Sequence, residues 1–181
     1  MPDLKLVGLC GSLRAESYNR KLLLEAARIF DGAGFDEGDL RLPLFDEDLE
    51  AQGIPPEVTR LKDLIRAADA VVIACPEYNK APSGVLKNAL DWLSRGGAPW
   101  AGKPVAIVSA AAGRAGGERT QFALRLMMVP FRPRLLQGPE MLVASPKDHF
   151  DADGHLTTES YVNLLSDLMT VLRKEAQIAR N

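Results

Sequence analysis

The sequence predicts an α/β fold: an open, doubly wound parallel sheet of five strands with helices on both faces. Three observations predict it. The run Ala70-Val71-Val72-Ile73-Ala74-Cys75 contains no polar residue, and "KPVAIVSA" (103–110) is nearly as apolar. Runs this apolar suit central parallel strands, which are buried on both faces. Between such runs lie segments whose apolar residues recur at helical spacing. Strand and helix patterns then alternate along most of the chain, the order that right-handed crossovers require.

The elements follow in sequence. Residues 5–9 read as a strand, and a helix follows with Leu22, Leu23, Ala26, Ala27 and Phe30 as its buried stripe. Gly32 and Gly34 stop that helix, and "GDLRLP" alternates as a short strand near 37–41. An acidic loop, "FDEDLEAQGIPP", leads to a helix from Pro55 to Ala67 with Val58, Leu61, Leu64 and Ile65 inward. After the strand at 70–75, "PEYNKAPS" leads into a helix over 84–93. The strand at 103–110, a glycine-rich loop and a helix over 117–128 come next. A last strand near 140–144 and an amphipathic helix from about Thr158 to Ala176 close the pattern. Five strands with helices on both faces is the flavodoxin-like count.

One domain spanning residues 1–181 is expected from 181 residues, and 46% hydrophobic residues can fill its core. A net charge of -2 with scattered basic residues argues against nucleic acid as a partner. With two cysteines, no leader pattern and no long apolar span, a cytoplasmic protein away from membranes is expected. No metal-ligand spacing occurs. "FDADGH" (150–155) starts like a calcium loop, but its ligand spacing stops after Asp153, so an Asp-Gly turn accounts for it better.

Ligands of doubly wound sheets bind outside the carboxyl ends of the strands, and three strand ends here are unusual. The first, "CGSLRAESYN" (10–19), places Ser12, Arg14, Ser17 and Asn19 at a helix N-terminus. Unpaired N–H groups and the helix dipole attract an anion there. A cap by Ser17 or Asn19 explains one residue, but not Arg14 or the excess of donors. The loop lacks G-x-x-x-x-G-K-[ST] and G-x-G-x-x-G, which excludes the commoner nucleotide loops. A monophosphate such as that of FMN remains. The second loop, Pro76-Glu77-Tyr78-Asn79, can aim backbone groups at the edge of a flat heterocycle. The third begins at Ser109 and continues through small residues that let backbone approach a ring.

"GSLRAESYN", "PEYNKAPSGVLKNALDWLSR" and "GGERTQFALR" together resemble the NADPH-dependent FMN reductase family, flavodoxin-like enzymes that include quinone, chromate and azo reductases. The resemblance runs from residue 5 to about 145. It implies bound FMN, NADPH (or NADH) as electron donor, a small-molecule electron acceptor, and a homodimer or homotetramer. Carried over by position, Ser12, Arg14, Ser17 and Asn19 would hold the FMN phosphate, and Leu13 and Tyr18 of the same stretch would also bind the cofactor. Pro76, Glu77, Tyr78 and Asn79 line the isoalloxazine edge, and the loop at 109–113, with Ser109, Ala111 and Gly113, closes the other side. Ala111 replaces a hydroxyl found in some members, and Ser83 stands where proline is frequent. Of an arginine, tyrosine and glutamate that link subunits in close relatives, Arg119 and Glu140 are kept and Phe122 replaces the tyrosine.

The resemblance also implies that the flavin does the redox chemistry, so no side chain is assigned as catalytic acid or base. An electron carrier without NAD(P)H oxidase activity is the alternative, as is a flavin-free binding protein with the same fold. Cys10 and Cys75 end neighbouring strands, and small core thiols are the reading preferred over a redox pair.

Overall fold

A computed structural model describes residues 4–32 and 34–180. Four strands form the centre of a parallel sheet: β1 (Lys5–Cys10), β3 (Ala70–Ala74), β6 (Pro104–Ala111) and β8 (Met141–Ala144). With β2 (Gly34–Gly38) at the edge, the order is β2-β1-β3-β6-β8. A two-residue strand, β7 (Arg134–Leu135), also pairs with the beginning of β6. Apart from that addition, this is the flavodoxin-like order expected from the alternating pattern.

Helices α1 (Tyr18–Phe30) and α6 (Glu159–Arg180) cover one face. There Leu22, Leu23, Ala26 and Phe30 meet Leu165, Leu168, Met169 and Leu172 over the inner residues of β1, β3, β6 and β8. On the other face α3 (Pro56–Ala67), α4 (Gly84–Leu93) and α5 (Glu118–Met128) bury Leu61, Ile65, Leu86, Leu90, Leu93 and Leu124 against Val7, Leu9, Val71, Ile73 and Ile107. All five residues of β3 are buried, as its unbroken apolar run requires.

Several boundaries differ from the sequence expectation, each for a local reason. The second strand is Gly34–Gly38 rather than 37–41, because its register on β1 runs from Lys5 opposite Gly34 to Leu9 opposite Gly38. Beyond it, Asp39 accepts from the Arg41 N–H, and the Leu42 N–H bonds to the Leu40 carbonyl, so the Leu-Arg-Leu alternation belongs to a turn. Helix α1 ends at Asp31, which is left-handed (φ 48°) and returns its N–H to Ala27; Gly34 starts β2 instead of stopping the helix. The acidic loop contains a five-residue helix, α2 (Glu47–Ala51), capped by the Asp46 carboxylate. "PEYNKAPS" is a hairpin of β4 (Glu77–Tyr78) and β5 (Ala81–Pro82), turned by Asn79 and Lys80 at φ 51° and 65°. The final helix runs on to Arg180.

The "FDADGH" segment is a closed turn. Its Phe150 and Leu156 form an isolated bridge, Asp151 accepts from the His155 N–H, and Gly154 takes φ 90°.

Candidate functional site

The loops that matter share one sheet edge, and backbone bonds anchor them there. Past the last paired residues, the Gly11 N–H reaches the Ala74 carbonyl (2.8 Å), Cys75 reaches Val108 (3.1 Å) and Ser145 reaches Ala111 (3.1 Å). The ladder thus continues into the loops and fixes where each one starts. Gly11 is needed for this approach: a Cβ on it would lie 2.9 Å from the Cys75 sulfur and 3.0 Å from the Ser83 hydroxyl. Ser83 itself caps α4 by accepting from the Leu86 N–H, which accounts for a serine at that position.

A cleft of about 420 Å³ opens over the carboxyl ends of β1, β3, β6 and β8. It brings together Ser12, Arg14, Ser17, Tyr18 and Asn19 from the first loop and helix start, Pro76, Glu77 and Tyr78 from the second, and Ala111 from the third. Of the other expected residues, Leu13 lines a neighbouring cavity, and Asn79, Ser109 and Gly113 do not line this cleft.

The helix start has the features of an anion site. Ser17 occupies the cap position of α1, yet its hydroxyl makes no capping bond. The first intrahelical bond comes from Lys21 to the Ser17 carbonyl, so the N–H groups of Tyr18, Asn19 and Arg20 have no helix partner. No acidic residue lies in the first turn to satisfy them. Arg14 is exposed and close by, donating to the Glu16 carbonyl and standing 5.8 Å from the Tyr18 ring centre.

Asn19 plays another part. It is buried, and its amide donates to the Ala110 carbonyl (2.8 Å) and accepts from the Ala110 N–H (3.0 Å). It therefore ties α1 to the end of β6, beneath the cleft.

Ser109 is also structural. Fully buried, its hydroxyl donates to the Gly116 carbonyl (2.7 Å) and accepts from Gln121 Nε2 (3.0 Å). Gln121 donates again to the Met141 carbonyl (2.8 Å). This chain of bonds holds the third loop between β6, α5 and β8. Gly117, at φ 92°, permits it, because a Cβ there would fall 2.8 Å from the Ser109 oxygen.

Glu77 takes the start of α5. Its carboxylate accepts from the Arg119 N–H (3.1 Å) and lies 3.5 Å from the Arg119 guanidinium. Arg119 thus has a partner within its own chain, while Phe122 and Glu140 are exposed.

Ala110 and Ala112, within the expected loop 109–113, also line the cleft, and Ser145, Pro146 and Lys147, which sequence reasoning missed, complete it. The signal was available: "SPK" follows the last strand at the same edge, and the strand-end rule applies to it as well. Both thiols are buried and unbridged, and loss of hydration pushes Cys10 and Cys75 above the ordinary thiol value.

An anion-ready helix start and a cleft across the strand ends of a 2-1-3 parallel sheet define a flavodoxin-like ligand-binding protein. Comparison with known proteins sharpens this. Residues 4–148 match the model of the NADPH-dependent FMN reductase family, and the chain belongs to that family. It is 42% identical over 174 residues to an NAD(P)H-dependent FMN reductase of Pseudomonas aeruginosa, covering 94% of each chain. An NAD(P)H:quinone oxidoreductase of Solanum tuberosum is 40% identical over 182 residues, with 95% and 92% covered. Among solved structures, the NAD(P)H:(acceptor) oxidoreductase FerB of Paracoccus denitrificans superposes with a TM-score of 0.88 at 29% identity, over 97% of this chain and 98% of that one. The protein is accordingly an oxidoreductase with FMN as cofactor and NAD(P)H as electron donor.

Proposed function

We propose that the cleft holds FMN with its phosphate at the start of α1, and that the exposed flavin face serves a quinone-like acceptor, with azo compounds, metal oxyanions and free flavins as further candidates. The whole chain acts as one FMN-binding domain. The observation that supports this most is the start of α1: three N–H groups without a helix partner and no acidic residue in the first turn, with the exposed Arg14 guanidinium beside them. A phosphate monoester, with two charges and several acceptor oxygens, matches that set.

When bound, FMN supplies the redox chemistry, taking hydride from NAD(P)H and passing two electrons on. The chain's residues bind and orient. Pro76 stiffens the exit from β3, and the paired turn at Asn79 and Lys80 fixes the Glu77–Tyr78 backbone beside the ring. Ala110 to Ala112 offer backbone groups and little bulk on the opposite side. Lys147 brings a cation to the same cleft. No acid or base role is assigned to any side chain.

A homodimer or homotetramer completes this reading. Phe122, Leu126 and Val129 recur at i, i+4 and i+7 and are 56%, 74% and 66% exposed, an apolar stripe suited to a second copy. The cytoplasm is the proposed compartment, supported by two free, buried thiols. The quinone assignment follows the name of the potato relative.

Steady-state rates with varied NADPH and a benzoquinone test the reading. Parallel double-reciprocal lines are expected, since donor and acceptor would use the same face in turn. NADPH oxidation that requires a separate reductase protein would favour the electron-carrier alternative.

A further inference from the structure

Two features on the sheet face covered by α3, α4 and α5 take no part in the cleft. The first is a strap between β2 and α2 that displays Leu44, 82% exposed. Both neighbours of Leu44 are pinned. The Pro43 carbonyl accepts from Asn88 Nδ2 (2.9 Å) and from Trp92 Nε1 (2.8 Å), while the Phe45 N–H donates to Asn88 Oδ1 (2.8 Å). The Phe45 ring also stands edge-on to Trp92, with centres 5.0 Å apart. Helix α4 thus holds a bare leucine in a fixed place, so a contact made through it gives up little freedom. Residues 42–52 carry four carboxylates, Asp46, Glu47, Asp48 and Glu50, and no basic residue. Glu50 pairs with Arg95, whereas Asp46, Glu47 and Asp48 are exposed and have no ion pair among the described residues.

The second feature lies at the end of α5. A cavity of about 250 Å³ opens there, lined by Met128, Val129 and Leu135 together with Arg125 and Arg132. Residues 119–134 hold four arginines and no acidic residue. Arg119 and Arg134 have carboxylate partners in Glu77 and Glu175, and Arg125 donates to the Leu136 carbonyl. Arg132 is exposed and has no partner among the described residues.

We infer that Leu44 of one copy enters this cavity on a second copy, with Asp46, Glu47 and Asp48 beside Arg125 and Arg132, and that the contact repeats reciprocally about a two-fold axis. The inference rests on reading the stripe on α5 as a surface for a second copy; Val129 belongs to both stripe and cavity. A projecting leucine matches an apolar recess, the form in which a buried anchor contributes most to an interface. The charges match as well. A carboxylate patch surrounds the leucine and guanidinium groups surround the recess, an arrangement that selects the partner and its register. Strap and cavity also share a face, since Leu42 and Leu135 pack against the same core cluster. One approach of two copies can therefore make both contacts, as an isologous interface requires.

Sedimentation of the FMN-loaded protein tests this with four variants: Leu44→Asp, Arg132→Glu, the acid-side variant Glu47→Lys/Asp48→Lys, and Leu126→Glu. All five positions are exposed, so circular dichroism should match wild type. Leu44→Asp, Arg132→Glu and the acid-side variant should each associate about 10-fold or more weakly than wild type, because each removes an apolar anchor or sets like charges together. An equimolar mixture of Arg132→Glu and the acid-side variant should regain association, since one of its two contacts is wild type and the other has both signs reversed. A monomeric wild type, strap and cavity variants as tightly associated as wild type, or a mixture no tighter than its parts would overturn the inference. If Leu126→Glu dissociates the protein while the strap variants do not, the α5 surface stands as an interface and Leu44 is not its partner.

Discussion

The side-chain amide of Asn19 grips the backbone of Ala110 from both sides, donating at 2.8 Å and accepting at 3.0 Å. This one pair joins the helix that would hold phosphate to the strand end that would hold the ring. The proposed phosphate and ring sites are therefore tied to each other directly through Asn19.

Asn19→Ala would leave both Ala110 groups without their partner, and each unmet buried group costs about 1–3 kcal/mol. A drop of roughly 2–6 kcal/mol in unfolding free energy is expected on the same basis, together with weaker FMN retention. Urea denaturation followed by circular dichroism measures the first effect. A stability equal to wild type would show that the bridge contributes nothing.

The third loop depends on a backbone that only glycine adopts without strain. In Gly117→Ala the new methyl would meet the Ser109 hydroxyl at φ 92°. A non-glycine residue in such a region costs about 1–3 kcal/mol, and the Gln121–Ser109–Gly116 chain must also shift. The expected outcome is a lower melting temperature and looser flavin binding, read by differential scanning calorimetry and by the flavin retained on gel filtration. Unchanged values for both would remove this loop from the list of supports.

Helix α1 is also pinned at its middle. Burial raises the Glu25 carboxyl, but hydrogen bonds from Arg28, His155 and the Leu156 N–H outweigh it and hold the group below its ordinary value. The same bond to Glu25 lifts His155 above its usual range. A lowered carboxylate adds stability at neutral pH that is lost as pH falls through its folded value. A raised histidine adds stability that is complete at low pH and lost as pH rises through its folded value. The contact is strongest between those limits, from below the ordinary carboxylate pKa to above the ordinary histidine pKa. Amide exchange at residues 151–157 should be slowest, relative to intrinsic rates, inside that window. His155→Ala should flatten the alkaline side of the profile. A flat profile in the wild-type chain would rule out this coupling.

The stripe on and after α5 predicts self-association. Leu126→Glu places a charge in the apolar row without touching the core, since Leu126 is 74% exposed. Light scattering should show a dimer or larger species for wild type and a smaller one for the variant, with circular dichroism unchanged. A wild-type monomer would end that reading.

How much of this was legible beforehand depends on the kind of signal. The strand at 70–74 and the stripe of α1 were plain, because long apolar runs and helical spacing leave few alternatives. The placement of β2 was not, because Leu40 and Leu42 mimic a strand whose hydrogen bonds belong to the stretch before them. Ser12, Arg14 and Ser17 could be placed at the cleft from residue type and position alone. Asn19 and Ser109 lie in the right neighbourhood, but their bonds to Ala110 and Gly116 depend on how α1 and the third loop pack on β6. No local pattern encodes such pairings, since Asn19 and Ala110 are 91 residues apart. The same holds for Arg119, whose pairing with Glu77 needs the hairpin to fold back on α5.

The central claim is that the start of α1 holds the phosphate of FMN, and titrating flavin-stripped protein with FMN tests it most directly. Wild type should bind saturably, one flavin per chain. Arg14→Ala should bind about 10- to 100-fold more weakly, the worth of a charge-assisted bond, and melt within a degree or two of wild type because an exposed loop side chain contributes little to folding. Equal FMN affinity for wild type, Arg14→Ala and Ser17→Ala, or no saturable binding at all, would contradict it.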